Sequence, residues 1–137
     1  MDNTSLSQII SRVPELRYRY MGTFAADLCP KFIPNNKFFI VNTDPSYSTG
    51  AHWIMIANKQ GKYYYADSYG EPLWKYHHLR NQLGHLIFKQ MVTNKLQYDS
   101  QSCGLFCIYF AKKLFSNKIT PDVYSDFELI RYMCQFL

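Results

Sequence analysis

The sequence lacks any apolar run long enough to cross a membrane, and its first residues lack the features of a secretory leader. No uninterrupted apolar stretch approaches the roughly 18 residues that a membrane-spanning helix needs. The first residues, MDNTSLSQIISRV, have neither the basic segment nor the apolar segment of a cleavable signal. These absences predict an intracellular protein that has no membrane partner.

The sequence also lacks a C-x-x-C pair, internal repeats and low-complexity segments. Its cysteines fall at irregular spacings, which suit neither a disulfide framework nor a structural zinc site. A zinc site built from Cys103, Cys107 and two histidines remains an alternative, but no ligand spacing supports it. We therefore predict free thiols and no bound metal. The cysteines are Cys29, Cys103, Cys107 and Cys134.

Size and charge limit the remaining classes of protein. With 137 residues, 47% of them hydrophobic, residues 1–137 are predicted to form one domain with one core. The net charge of +5 attracts polyanions, and twelve tyrosines and ten phenylalanines provide stacking surfaces. A DNA or RNA partner is one interpretation, and a solvated basic face is the other. The candidate nucleic-acid contacts are Arg12, Arg17, Arg19, Lys112 and Lys113.

The first half of the chain is predicted to contain a helix and then strands. Apolar residues at helical spacing precede Pro14, which ends a short first helix. Residues 36–43, NKFFIVNT, are typical of a buried strand. Residues 51–70 predict a hairpin that turns at NKQGK, where Gly61 can adopt the positive φ of a tight turn.

The second half is predicted to be mainly helical. Residues 71–89 show helical spacing, residues 91–98 indicate a short strand, and residues 103–115 are apolar almost all round, as in a buried helix. The spacing of Ser125 and Glu128 is typical of a capping box and predicts a final helix. This order predicts an α+β fold, in which helices flank a small antiparallel or mixed sheet.

Cys103 is the candidate nucleophile. A cysteine attacks as its thiolate, which the dipole and unpaired N–H groups at a helix N-terminus stabilise. The polar loop YDSQS ends where the apolar helix begins, so Cys103 would lie in the first helical turn. Gly104 leaves room there for a substrate backbone. The alternative is that Cys103, like Cys107, is a small buried core residue.

His52 and Asp67 are the candidate partners of that thiol. A hydrolytic thiolate needs a histidine that holds it as an ion pair and then protonates the leaving amine. His52 lies at the entry of the first hairpin strand, and Asp67 ends the second, so the two meet at one open end. The carboxylate would fix the imidazole tautomer. Glu71 and Asp44 are weaker candidates for the same role.

Gln97 is the candidate oxyanion donor. Charge that develops on a carbonyl oxygen needs preorganised donors, and the backbone N–H of Cys103 supplies one of them. Gln97 lies six residues upstream in the loop that leads to the cysteine, so its side-chain amide can supply the other. On its own, a loop glutamine is more often simply solvated.

Four stretches of the chain together resemble the adenovirus endopeptidases (adenains), within the wider class of ubiquitin-like-protein proteases. They are YMGTFAADLCPKFIP, FFIVNTDPSYSTGAHWIMIA, YYYADSYG and LQYDSQSCGLFCIYF, in the order of that family, and they cover about residues 20–113. The resemblance implies the adenain-like cysteine protease fold, with the nucleophile at the start of a buried central helix. It also implies no cofactor for the chemistry.

By position, the resemblance assigns a role to each site residue. It implies that His52 is the general base and acid, Asp67 its orienting carboxylate, Cys103 the nucleophile and Gln97 the oxyanion donor. Trp53, directly after the histidine, would form part of the wall of the substrate cleft. Gly50 and Gly104 complete the predicted substrate contacts.

The sequence departs from the adenovirus pattern at several points. Asp67 stands where adenovirus enzymes usually carry Glu, and the six-residue step from Gln97 to Cys103 is closer to the cellular proteases. From Phe115 onward the chain does not look like theirs. Adenovirus enzymes are activated by DNA and by a peptide that is disulfide-bonded upstream of the glutamine. Since residues 68–96 contain no cysteine, a noncovalent activator peptide, or none, is expected here.

Three functions are consistent with these residues. The first is a cysteine endopeptidase of a virus or virus-like element, which acts as a monomer on viral precursor polypeptides at glycine-containing sites, in the host nucleus and the virion. The second is a protease for ubiquitin or a ubiquitin-like modifier, with the same residues. The third is a non-catalytic basic module that binds nucleic acid.

Overall fold

The computed structural model describes residues 3–98 and 103–116 and has an α+β fold, as predicted. Five strands form one sheet, in which spatial order follows chain order. The helices are α1 (Asn3–Ser11), α2 (His77–Leu83) and α3 (Cys103–Phe115), with a 3₁₀ turn at Leu73–Lys75. The strands are β1 (Tyr20–Phe24), β2 (Lys37–Asn42), β3 (Trp53–Lys59), β4 (Lys62–Ala66) and β5 (Phe88–Gln90).

The sheet is mixed. Strand β3 pairs antiparallel with both β2 and β4, whereas β1 and β5 add parallel strands at the two edges. The β3–β4 hairpin turns at Gln60 and Gly61, which have φ values of 54° and 84°. Two successive positive φ angles give a turn whose twist matches that of the strands. The predicted hairpin is therefore confirmed, together with its turn.

Both faces of the sheet are covered. On one face Met55 and Ala57 of β3 lie in a core with α1 and α3. On the other face Ile54 and Ile56 pack with Leu79 and Leu83 of α2. Alternate residues of β3 therefore serve opposite cores, as the two-residue period of a strand requires. Every residue of α3 except Lys112 and Lys113 is buried, which confirms the predicted buried helix.

The prediction for residues 71–89 is only partly right. Helix α2 ends at Leu83, and the Gly84 N–H completes its last turn by donating to the Arg80 carbonyl. A Cβ on Gly84 would lie 2.4 Å from that oxygen, so only glycine fits this approach. The chain then enters β5, where Phe88 pairs with Tyr63. Apolar spacing alone does not separate a continued helix from a three-residue edge strand.

Two further predictions differ from the structure or fall outside it. The short strand predicted within residues 91–98 is wrong, because the strand lies just before it, in β5, and residues 91–98 have no regular structure. The final helix predicted from Ser125 and Glu128 lies outside the described residues, as does Cys134. Among residues 3–98 and 103–116, no helix is long and apolar enough to span a membrane.

Candidate active site

The loop before β3 places His52 at one end of the hairpin. The Asn42 side chain accepts the N–H groups of Asp44 at 2.9 Å and Ala51 at 3.1 Å, so one buried amide holds both ends of the loop. The Thr43 N–H also donates to the His52 carbonyl at 2.8 Å, which extends the strand pairing by one step. The His52 backbone is thereby fixed where the sheet ends.

His52 and Asp67 form a buried pair at this end of the hairpin. The imidazole Nε2 lies 2.5 Å from the Asp67 Oδ1, and both side chains are buried. The β3–β4 register places Met55 opposite Ala66, so His52 and Asp67 lie just beyond the last rungs of the ladder. The Tyr69 ring stacks on the imidazole, with centroids 4.2 Å apart. Ring position and orientation are therefore set from two sides.

Asp67 is held as a carboxylate. Its Oδ1 also accepts the Tyr69 N–H at 2.9 Å, and its Oδ2 accepts the Tyr76 hydroxyl. Burial raises the pKa of this carboxyl, but hydrogen bonds from His52, Tyr76 and the Tyr69 N–H outweigh it, and the net pKa is lowered. Burial and the hydrogen bond to the Asp67 carboxylate raise the pKa of Tyr76, since both disfavour a phenolate.

Cys103 is the first residue of α3, and its thiol interacts with His52. Burial raises the pKa of the thiol, whereas the imidazolium and the backbone N–H groups of Trp53 and Gly104 lower it, and the net pKa falls below its ordinary value. A thiolate here is stabilised by the start of α3, by the strand backbone at Trp53 and by the nearby imidazolium.

The imidazole is correspondingly favoured as a cation. Burial lowers the pKa of His52, but the hydrogen bond to Asp67 and the interaction with Cys103 raise it, and the net pKa is about 9. Because Asp67 takes Nε2, the buried Nδ1 is the nitrogen left for the thiol, and within the described ranges no group meets it with hydrogen-bond geometry. A pair in loose contact before substrate binds is common in apo sites. The lowered pKa of Cys103 and the raised pKa of His52 both shift the pair toward a thiolate and an imidazolium.

Gln97 lies beside the same end of the sheet and is buried. Its N–H donates to the Ser68 carbonyl at 3.0 Å, and its side-chain oxygen accepts the Ser68 hydroxyl. Ser68 directly follows Asp67 in the chain. Residues 99–102, which lead from this segment to Cys103, lie outside the described ranges.

The predicted substrate contacts lie around this site. Trp53 is half-buried at the start of β3, against the core under α3, and Gly104 is buried in the first turn of α3. Gly50 has a φ of 85°, and a Cβ there would lie 2.9 Å from the Asn42 amide nitrogen. Gly50 thus has a conformational role in the loop before His52, and contact of any of the three with substrate stays a prediction.

The predicted nucleic-acid residues occupy the region where α1 and its following turn meet α3. Arg12, Arg17 and Lys113 are exposed, and Lys112 is half-buried. Arg19 donates to the carbonyls of Glu15 and Asn36 and lies over the Phe115 ring. Arg19 therefore supports the fold, and nucleic-acid binding by this set stays a prediction.

Sequence reasoning missed several residues that build the site. Ser68, Tyr69 and Tyr76 contact the predicted residues directly, and Asn42 sets the loop before them. For Ser68 and Tyr69 the available signal was their place right after Asp67 in YADSYG. Tyr76 carried no such signal, because it comes from the segment before α2.

The weaker carboxylate candidates are bound elsewhere. Glu71 pairs with Lys75 at 2.9 Å on the surface, and Asp44 accepts the Ser48 hydroxyl at 3.3 Å. In the part of the chain that the structure describes, no three His, Cys, Asp or Glu side chains converge as a metal site requires. The zinc alternative for Cys103 and Cys107 thus has no supporting cluster there.

The described cysteines should differ sharply in reactivity. Burial raises the pKa of Cys29 to about 12, and it raises the pKa of Cys107 well above its ordinary value. At pH 7 we expect iodoacetamide to modify Cys103 at least about 10-fold faster than either, because the thiolate is the reacting form. Mass-spectrometric peptide mapping over time measures each rate, with Cys134 followed separately. Equal rates at Cys29 and Cys103, or an unchanged Cys103 rate in His52→Ala, would contradict this expectation.

Comparison with known proteins supports the predicted resemblance. No model of a known protein family matches the chain. The chain is 29% identical over 133 residues to a protein named Protease from bovine adenovirus 4. The match covers 80% of this chain and 64% of that relative, so the chain spans less than two thirds of the relative's length. This similarity confirms the resemblance to adenovirus proteases that the four sequence stretches predict.

Proposed function

We propose that this chain is a cysteine endopeptidase of a virus or virus-like element, with the adenain-like fold, that cleaves structural precursor proteins at glycine-containing sites. The observation that carries the proposal is the buried His52–Asp67 pair beside a thiol whose pKa is lowered at the start of α3. The similarity to an adenovirus protein named Protease supports the same reaction class.

The proposed reaction has two halves, formation of a thioester at Cys103 and its hydrolysis by water. The Cys103 thiolate attacks the peptide carbonyl carbon, and the oxyanion accepts hydrogen bonds from the Cys103 N–H and the Gln97 amide. When the C–N bond breaks, the His52 imidazolium gives its proton to the departing amine. Water then attacks the thioester while His52 takes its proton, and the thiolate leaves. Asp67 orients the His52 ring in both halves and stabilises its charge whenever the ring is protonated.

The glycine preference is proposed from the resemblance to adenovirus proteases. A narrow substrate cleft beside Trp53 would admit a glycine backbone more readily than a bulky side chain. We further propose that the protein acts as a monomer in the host nucleus and the virion. Cleavage needs no cofactor, and DNA or a noncovalent peptide raises it.

A panel of fluorogenic substrates tests this function. We expect the purified chain to cleave a peptide with a Gly-Gly or Gly-X bond. The same peptide with valine in place of glycine should be cleaved at least about 10-fold more slowly, because the larger side chain weakens binding at the narrow site. A ubiquitin C-terminal fluorogenic conjugate is run beside them. Faster turnover of the conjugate than of the peptide would instead favour the modifier-protease function, which the aspartate at Asp67 also fits.

The same substrates test the proposed activation by DNA, in which the basic residues would take part. With DNA added, proposed activation predicts faster cleavage that declines as salt rises, since polyanion binding releases counterions. DNA binding without turnover of any substrate, unchanged in Cys103→Ala, would support the non-catalytic module in place of the protease.

A further inference from the structure

Ser68 is a buried residue whose hydrogen bonds converge on the segment that carries Gln97. Its carbonyl accepts the N–H groups of Leu96 at 2.8 Å and Gln97 at 3.0 Å, and its hydroxyl donates to the Gln97 Oε1. Ser68 is only 1% exposed, as is Gln97. One residue therefore contacts both the backbone and the side chain of the proposed oxyanion donor.

The direction of the side-chain contact matters for chemistry. A primary amide has a donor end and an acceptor end, and a rotation of 180° about its last bond exchanges them. An oxyanion accepts hydrogen bonds only, so a flipped amide would present its own oxygen and repel the developing charge. Because the Ser68 hydroxyl donates to Oε1, it selects the rotamer in which the NH₂ group faces away from Ser68.

The turn that carries Ser68 is itself held tightly. The Gly70 N–H donates to the Asp67 carbonyl at 2.8 Å, and Gly70 has a φ of 72°. A Cβ on Gly70 would lie 2.7 Å from the carbonyl carbon of Asn94, so this turn packs directly on the segment that leads to Gln97. The Ser68 hydroxyl on this turn therefore has a fixed position relative to the Gln97 side-chain amide.

We infer that Ser68 is a positioning residue that holds the Gln97 amide with its donor end toward the oxyanion. The inference rests on the proposed function of the site. Two consecutive residues would then have parallel roles: Asp67 orients the imidazole of His52, and Ser68 orients the side-chain amide of Gln97. Neither contact requires Ser68 to touch the substrate.

Four proteins test the inference: wild type, Ser68→Ala, Gln97→Ala and the double variant. For Ser68→Ala we expect kcat to fall about 10- to 100-fold with KM within about two-fold, because only the transition state carries the oxyanion. Affinity for a peptide aldehyde, whose adduct carries an oxygen at the same position, should fall by a similar factor. The rate of Cys103 alkylation by iodoacetamide, which needs no oxyanion donor, should change less than about two-fold.

The double variant separates positioning from a general structural role. If Ser68 acts through Gln97, adding Ser68→Ala to Gln97→Ala should lower kcat no further, whereas independent effects would multiply. Ser68→Thr keeps the hydroxyl, so as a folded protein it should retain more of the aldehyde affinity than Ser68→Ala does. Multiplying effects, a matched loss of alkylation, or a folded threonine variant no better than alanine would overturn the inference.

Failure of this inference is distinguishable from failure of the proposed function. If the wild-type protein cleaves no peptide and forms no aldehyde adduct at Cys103, the proposed function is contradicted, and the inference fails with it. A wild-type protein that does both, beside an equally active Ser68→Ala, removes only the role of Ser68.

Discussion

Replacing Cys103 with alanine is expected to reduce cleavage of the glycine-containing peptide by on the order of 10⁴-fold or more, to the background rate. Alanine has no group that can form the thioester, and the remaining residues cannot bypass that step. Peptide binding should persist, because the proposed oxyanion donors and substrate contacts remain. Steady-state kinetics measure the loss, and calorimetric titration with uncleaved peptide measures the retained binding.

Cys29→Ser is the matched control for the Cys103 variant. Cys29 is buried under the opposite face of the sheet, and its thiol donates to the Ala26 carbonyl at 3.6 Å, a contact that a hydroxyl can replace. We expect this variant to cleave the peptide within about two-fold of wild type. Residual wild-type activity in Cys103→Ala would assign the nucleophile elsewhere, and loss of activity in both variants would indicate general damage to the fold.

Replacing Asp67 with asparagine is expected to lower kcat/KM at neutral pH by on the order of 10²- to 10⁴-fold. An amide can orient the ring but supplies no charge to the buried imidazolium. Without the carboxylate, the effect of burial on the pKa of His52 is less opposed, so that pKa falls. The Cys103 thiolate then loses its cationic neighbour. The activity should fall because charge stabilisation is lost and not because packing changes, since aspartate and asparagine have nearly the same shape.

The pH profile gives the sign of this effect. In wild type the active ion pair is present above the lowered pKa of Cys103 and is lost as pH rises through the His52 pKa of about 9. The alkaline limb of kcat/KM should therefore fall near pH 9, and in Asp67→Asn it should move toward neutral pH. Glu71→Gln removes one carboxylate from the nearby surface pair with Lys75 and should leave both rate and limb unchanged. An unmoved limb in Asp67→Asn would contradict the proposed role.

Local patterns in the sequence predict the parts of the fold that depend on local chemistry. Gly61 and the apolar residues on either side of it determine the hairpin, and the hairpin register then places His52 beside Asp67. The helix that begins at Cys103 is likewise evident from its apolar residues. The chemical roles of these groups stay predictions, whereas their proximity is a property of the structure.

The remainder depends on contacts that no local pattern encodes. Strand β1 is not apparent in YMGTF because all five of its residues are half-buried and its register shifts between Tyr20 and Thr23. Its partner strand is parallel, so no hairpin turn marks the pairing. The Tyr76 hydroxyl reaches Asp67 only after the chain has turned back along the sheet, and the sequence offers no pattern for that return.

The position of the site between hairpin and α3 has a consequence during synthesis. A ribosome-bound chain that has emerged as far as residue 67 already contains the imidazole of His52 and the carboxylate of Asp67, but not yet Cys103. Once translated, Cys103 remains an ordinary thiol until α3 docks, because its low pKa depends on His52 and on the Trp53 N–H. The proposed ion pair between Cys103 and His52 therefore forms only once α3 has packed against the sheet.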